Sequence, residues 1–128
     1  MRQEMFHGIL LNLAFEDKGY PEKYHYFSRK VSGDSIIYGI EVAREDLEDT
    51  ITDIQSNMKT GGQYYSQLYD DEVMIVIFKG LVFRLVPDRS SWTDAQQFGR
   101  DLGIAEAQLD FYPCHFQDED LYFPSNPS

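Results

Sequence analysis

Residues 73–87 read VMIVIFKGLVFRLVP, two apolar runs joined at Lys79-Gly80, and they constrain the fold more than any other stretch. A strand with one wet face alternates apolar with polar residues. Here Val73, Ile75 and Ile77 fall on one face and Met74, Val76 and Phe78 on the other, so both faces require cover. With 42% hydrophobic and 15% aromatic residues over 128 positions, the chain can supply one core without disulfides or metal, and a single domain is expected.

Around that pair the pattern predicts alternating elements. Residues 6–15 place His7, Ile9, Leu11, Leu13 and Phe15 on one side of a strand. A charged loop carrying Gly19-Tyr20-Pro21 precedes extended pieces at 24–31 and 35–42, separated by a turn at Ser32-Gly33-Asp34. Over 44–59, Leu47, Ile51, Ile54 and Met58 make one apolar stripe on a helix that stops at Gly61-Gly62. A polar, tyrosine-rich loop leads to the paired strands 73–78 and 81–86, where Gly80 suits a turn with positive φ. Ser91 and Asp94 have capping-box spacing ahead of a second helix lined by Trp92, Ala95, Phe98 and Leu102. Gly103 sits where a left-handed helix end is wanted, and residues 109–116 read as a last strand that Pro113 either confines to a sheet edge or breaks.

From Ser35 the order is strand, helix, strand, strand, helix, strand, a split βαβ pattern. The expected class is α+β, with a ferredoxin-like core and antiparallel sheet over 35–116 and an N-terminal β extension over 1–31. An acidic, partly flexible tail follows over 117–128. In such a core both helices cover one sheet face, which leaves the other to the extension or to a second subunit.

Tyr64-Tyr65, DEVMIVIFKGLVFRLVPD at 71–88, Ser91-Trp92, Gly99, Leu102-Gly103-Ile104 and Gln108-Leu109-Asp110-Phe111 together form a distinctive string. Over about residues 35–115 the chain resembles a family of small uncharacterised bacterial and archaeal proteins. The resemblance implies a prokaryotic cytoplasmic protein and carries over no catalytic residue.

Eleven Lys and Arg against 22 Asp and Glu leave a formal charge of −11, which repels phosphate backbones and makes a basic protein the easier partner. Cys114 is the only cysteine, so no intramolecular disulfide forms, and a reducing cytoplasm is the simplest setting. The apolar runs fall far short of the roughly 20 residues that span a bilayer, and Met1-Arg2-Gln3-Glu4 does not open a signal peptide. Neither a membrane nor a nucleic acid is expected as a partner.

Catalytic motifs are weak. Cys114-His115 pairs a thiol with an imidazole in sequence, but neighbours on a strand point to opposite faces. His7, His25 and His115 lack the i, i+4 spacing of a helical zinc site, and Asp118-Glu119-Asp120 lacks the alternation and glycine of a calcium loop. Glu45, Asp46, Glu48, Asp49 and Asp53 read as the acidic start and wet face of the first helix. Lys59-Thr60-Gly61-Gly62 follows a helix instead of opening one, so it reads as a helix stop and not a phosphate loop. No catalytic residue, metal ligand or cofactor is therefore assigned.

Tyrosines carry the stronger signal. Tyr24, Tyr26, Tyr64, Tyr65 and Tyr69 fall in or beside two loops, and Arg29 and Arg84 give a pocket among them positive character. Leu121, Tyr122 and Phe123 form a short apolar anchor on the acidic tail, able to dock on a partner or to fold back on its own domain. The expected function is a non-enzymatic binding or regulatory module acting as a homodimer. The alternatives are an acidic, antitoxin-like protein that neutralises a basic partner and a small enzyme with a tyrosine-lined cleft.

Overall fold

The structure, a computed structural model, describes residues 5–111, 116–119 and 123. Strands β1 (Met5–Leu11), β2 (Tyr26–Ser32) and β3 (Ser35–Ala43) precede helix α1 (Leu47–Asn57). Strands β4 (Ser66–Tyr69), β5 (Met74–Ile77) and β6 (Val82–Leu85) then lead to helix α2 (Thr93–Asp101). All six strands join one antiparallel sheet in the order β2-β3-β1-β4-β5-β6. The α+β class holds, but this is not the strand order of a ferredoxin-like core. Strand β1 is no peripheral extension: it sits inside the sheet, paired with β3 on one side and β4 on the other.

The two helices lie on opposite faces. On one, Ile51 and Ile54 of α1 pack with Phe6, Leu10, Tyr38, Ile40, Leu68, Ile75 and Ile77. On the other, Trp92 and Ala95 pack with Tyr69, Met74, Val76, Phe78, Ile104, Leu109 and Phe111. Strand β5 is therefore covered on both sides from within the chain, as its two apolar faces demand. The sequence expectation of two helices on one face fails: β3 and β4 both run antiparallel to β1, so α1 crosses over β1 between two parallel strands on one face, while α2 packs on the other.

Strand β4 lies in the stretch read from sequence as a polar loop. All four of its residues are buried, and the polar ones are satisfied: Gln67 Nε2 donates to the Phe111 carbonyl at 2.9 Å, and Ser66 Oγ to Met58 Sδ at 3.8 Å. The first strand also ends earlier than its alternation suggests, in a 3-10 turn at Asn12–Ala14. There Asn12 donates to the Asp34 carbonyl and accepts from the Ile36 amide, which ties the turn to the β2-β3 hairpin. Residues 109–111 form a turn instead of a strand, and residues 112–115, with Pro113, Cys114 and His115, lie outside the described set.

Two cap expectations need correction. Ser91 does not close a capping box: its hydroxyl donates to the carbonyls of Val86 and Asp88, while Asp88 accepts from the Ser90 amide to cap a 3-10 turn at Arg89–Ser91. Gly80 is not left-handed, although the two-residue connection it forms with Lys79 is closed by Phe78–Leu81 bonds in both directions. Gly103 does behave as expected, with φ of 88° and the Ile104 amide bonded to the Gly99 carbonyl at 3.0 Å.

Candidate functional site

Helix α2 covers only the β4-β5-β6 half of its sheet face. Beyond it, Ile9 and Leu11 of β1 and Ile37 of β3 form an apolar floor, with Leu11 directly opposite Ile37 in register. The walls are Gln63, Tyr64 and Tyr65 before β4, Gln67 within it, and Ala107, Gln108 and Asp110 after α2. They enclose a cleft of about 320 Å³.

Local bonds hold these walls in place. Tyr65 Oη donates to the Gln108 carbonyl at 2.5 Å, and its ring meets Phe111 edge-on at 5.2 Å. The Gln67 amide fixes Phe111 from the sheet side, and Gln96 Nε2 of α2 donates to the Leu109 carbonyl at 2.9 Å. The 105–111 segment is thus tied to both β4 and α2. Among the described residues, no Lys, Arg or His lines the cleft, and Asp110 is its only carboxylate.

Of the described residues singled out from sequence, Tyr64 and Tyr65 meet here and the others do not. Tyr24 lies on the α1 side, where Tyr20 Oη donates to Asp53 at 2.6 Å and Lys23 Nζ to the same oxygen at 2.7 Å. Burial, together with the Asp53 charge, pushes the Tyr24 phenol up to about 12, and burial with the Asp53 hydrogen bond raises Tyr20 further. The Asp53 carboxyl is held low by its bonds from Lys23 and Tyr20. Tyr26 packs edge-on against Tyr38 at 5.2 Å, and Arg29, opposite Tyr38 in register, is exposed on the same edge strand. Arg84 makes a two-pronged ion pair with Glu48 of α1, at 2.6 and 3.0 Å.

Tyr69 is buried beneath a second polar cluster. Its hydroxyl donates to Glu119 Oε2, which also accepts from His7 Nδ1 at 2.7 Å. Burial first, and then this bond to Glu119, raise the Tyr69 phenol well above its ordinary value. Glu41 approaches both His7 Nε2 at 3.6 Å and His25 Nε2 at 3.3 Å. Glu119 is therefore not part of a solvated acidic run, and Phe123 turns back onto its own sheet, 7% exposed and edge-on to Phe27 at 5.8 Å. Leu121 and Tyr122 lie outside the described residues.

The residues missed from sequence are Ile9, Leu11, Ile37, Gln63, Gln67, Ala107, Gln108 and Asp110. Alternation in β1 places Ile9 and Leu11 on one face, but the partner of that face depends on strand order. Among the described residues, no group of three or more His, Cys, Asp or Glu side chains is arranged to hold a metal ion. None of their helices is long and apolar enough to cross a membrane. No protein-family model matches the chain, and neither the curated proteins nor the solved structures contain a match.

Proposed function

We propose that the protein is a small-molecule binding module whose site is the cleft between the β1-β3 floor and the Tyr64-Tyr65 wall. One observation carries this reading: the cleft combines an apolar floor, aromatic walls and the glutamines Gln63, Gln67 and Gln108 in about 320 Å³. That volume falls within the range of ligand pockets, roughly 300–1,000 Å³. With no basic side chain among the described residues of the lining, phosphates and carboxylates are poor candidates, and a flat, neutral ligand with hydrogen-bonding edges fits best.

Binding is favoured over catalysis because the wall hydroxyl and amide are engaged in structural bonds, Tyr65 on Gln108 and Gln67 on Phe111. Two other hollows each carry a charged pair, Lys23 with Asp53 in one and Arg84 with Glu48 in the other, the second beside Phe6, Leu47, Val73 and Ile75. Membership of the family of small bacterial and archaeal proteins belongs to the same proposal, and so does a cytoplasmic setting. Charge alone carries the alternative of a basic partner, for which a salt-sensitive pulldown is the check.

Ligand-observed NMR with flat neutral heteroaromatic amides tests the reading. Binding that Ala107→Trp abolishes by filling the cleft is expected. Binding that survives Ala107→Trp, or no binding at millimolar fragment, overturns it.

A further inference from the structure

The hollow between the start of α1 and strand β6 joins apolar surface to positive charge. Arg84 stands directly opposite Ile75 in the β5-β6 register, on the sheet face that α1 covers. Phe6, Val73 and Ile75 supply apolar lining, and Leu47 and Glu48 bring the first turn of α1 to its side. The space measures about 540 Å³, and it shares no lining residue with the cleft. That volume also falls within the range of small-ligand sites.

Two guanidiniums enter this lining, from Arg44 and Arg84, and they are held differently. Arg44 lies 4.6 Å from the centre of the Phe6 ring and 2.5 Å from the buried Asp70 carboxylate, which fixes it beside the apolar surface. Arg84 instead gives both terminal nitrogens to Glu48, at 2.6 and 3.0 Å, in a pair whose side chains are 49% and 71% exposed. Glu48 is the only carboxylate among the described residues of the lining, in a chain with 22 Asp and Glu against 11 Lys and Arg.

Glu48 shows how a carboxylate docks on Arg84, with two parallel bonds. It is also cheaply displaced. An ion pair this exposed contributes little to stability. On leaving Arg84, Glu48 keeps water and a favourable place in the first turn of α1. A ligand that brings a carboxylate together with an apolar body gains what Glu48 does not, the burial of methylenes or a ring against Val73, Ile75 and Val86. Screening over about 8 Å at physiological ionic strength keeps the overall charge from deciding the binding of an ion already in the hollow.

We propose that this hollow is a second binding site, for a small monocarboxylate with an aliphatic or aryl tail, whose carboxylate takes the place of Glu48 on Arg84. Arg44 adds a second positive charge in the same lining. The assignment does not depend on the cleft, which has no cation among its described lining residues and suits a neutral ligand.

Amide NMR titration of the full chain with phenylbutanoate and with its uncharged isostere, phenylbutanamide, at constant ionic strength tests the proposal. The carboxylate is expected to saturate at millimolar concentration with shifts centred on Val73, Ile75 and Arg84, and the amide to bind about tenfold more weakly. Glu48→Gln, which removes the internal competitor, is expected to tighten carboxylate binding by about two- to fivefold. Arg84→Gln is expected to weaken it by about tenfold. Both positions are exposed, each variant is checked for a cooperative melt, and the comparison of acid with amide on the wild type needs no variant. Equal affinity for acid and amide, no saturation by the acid at millimolar concentration, or shifts centred elsewhere overturns the site. So does a folded Glu48→Gln that binds no more tightly, or a folded Arg84→Gln that binds as well as the wild type.

Discussion

Asp70 is the one charged side chain among the described residues that is buried, at 1% exposure, and three donors keep it there. Arg44 Nη2 lies 2.5 Å from one oxygen, and the Glu72 and Val73 amides donate to the other at 3.0 and 2.9 Å. Burial pushes this carboxyl up, but the Arg44 bond and the two amides outweigh it and hold it below its ordinary 3.8. The folded state therefore binds the Asp70 proton more weakly than the unfolded state. Its contribution is fully present above about pH 4 and is lost as pH falls below that value. Asp70→Ala is expected to cost about 2–4 kcal/mol in urea unfolding, since it removes a buried acceptor shared by one Arg44 bond and two turn amides. Asp70→Asn is expected to flatten the acid limb of stability against pH, and an unchanged slope would contradict this. At the alkaline end the sign reverses. Tyr24, raised from 10.0 to about 12, favours the protonated phenol in the fold, so its contribution is present below pH 10 and lost as pH rises through 12. Tyr24→Phe is expected to weaken that alkaline loss, measured by the same urea midpoints.

At the scale of elements, local chemistry that repeats along the chain was legible and chemistry satisfied by distant partners was not. The apolar stripe of α1, the alternation of β5 and the left-handed Gly103 each follow from spacing or from one residue's conformational range. Gly103→Ala is expected to cost about 1–2 kcal/mol, because its φ of 88° disfavours a Cβ. That Cβ would also lie 2.6 Å from Gln63 Nε2. Thermal unfolding of this variant checks both terms together. Strand β4 shows the opposite case: Ser66, Gln67 and Tyr69 read as loop residues because their partners Met58, Phe111 and Glu119 are 8, 44 and 50 positions away. Ser91 likewise has the spacing of a capping box but bonds backward to Val86, so the helix start is set by the turn that precedes it. Half of the tyrosine-lined wall was visible through Tyr64 and Tyr65. The floor was not, because Ile9 and Ile37 become neighbours only when β1 enters the sheet beside β3.

For the whole molecule, the decisive feature is that α1 and α2 close opposite faces of one six-stranded sheet. A second subunit is no longer needed to cover β5, and the sheet edges beside β2 and β6, where Tyr26, Val31, Leu81 and Val86 stand exposed, are the apolar surfaces that self-association can use. If the homodimer forms, light scattering is expected to show it dissociating on Val31→Lys or Val86→Lys, whereas a dimer insensitive to both would place the interface elsewhere. The same two-sided arrangement creates the cleft: α2 is only nine residues long and leaves the β1-β3 part of its face to a loop, two tyrosines and the 105–111 segment. That a flat neutral ligand binds there is the central claim, and a two-dimensional amide NMR titration with a neutral heteroaromatic amide tests it most directly. Shifts concentrated at Ile9, Leu11, Ile37, Tyr64, Tyr65, Gln67 and Gln108 are the result expected. Shifts confined to the α1 side around Tyr24 and Asp53, or to the edge strands, would contradict it.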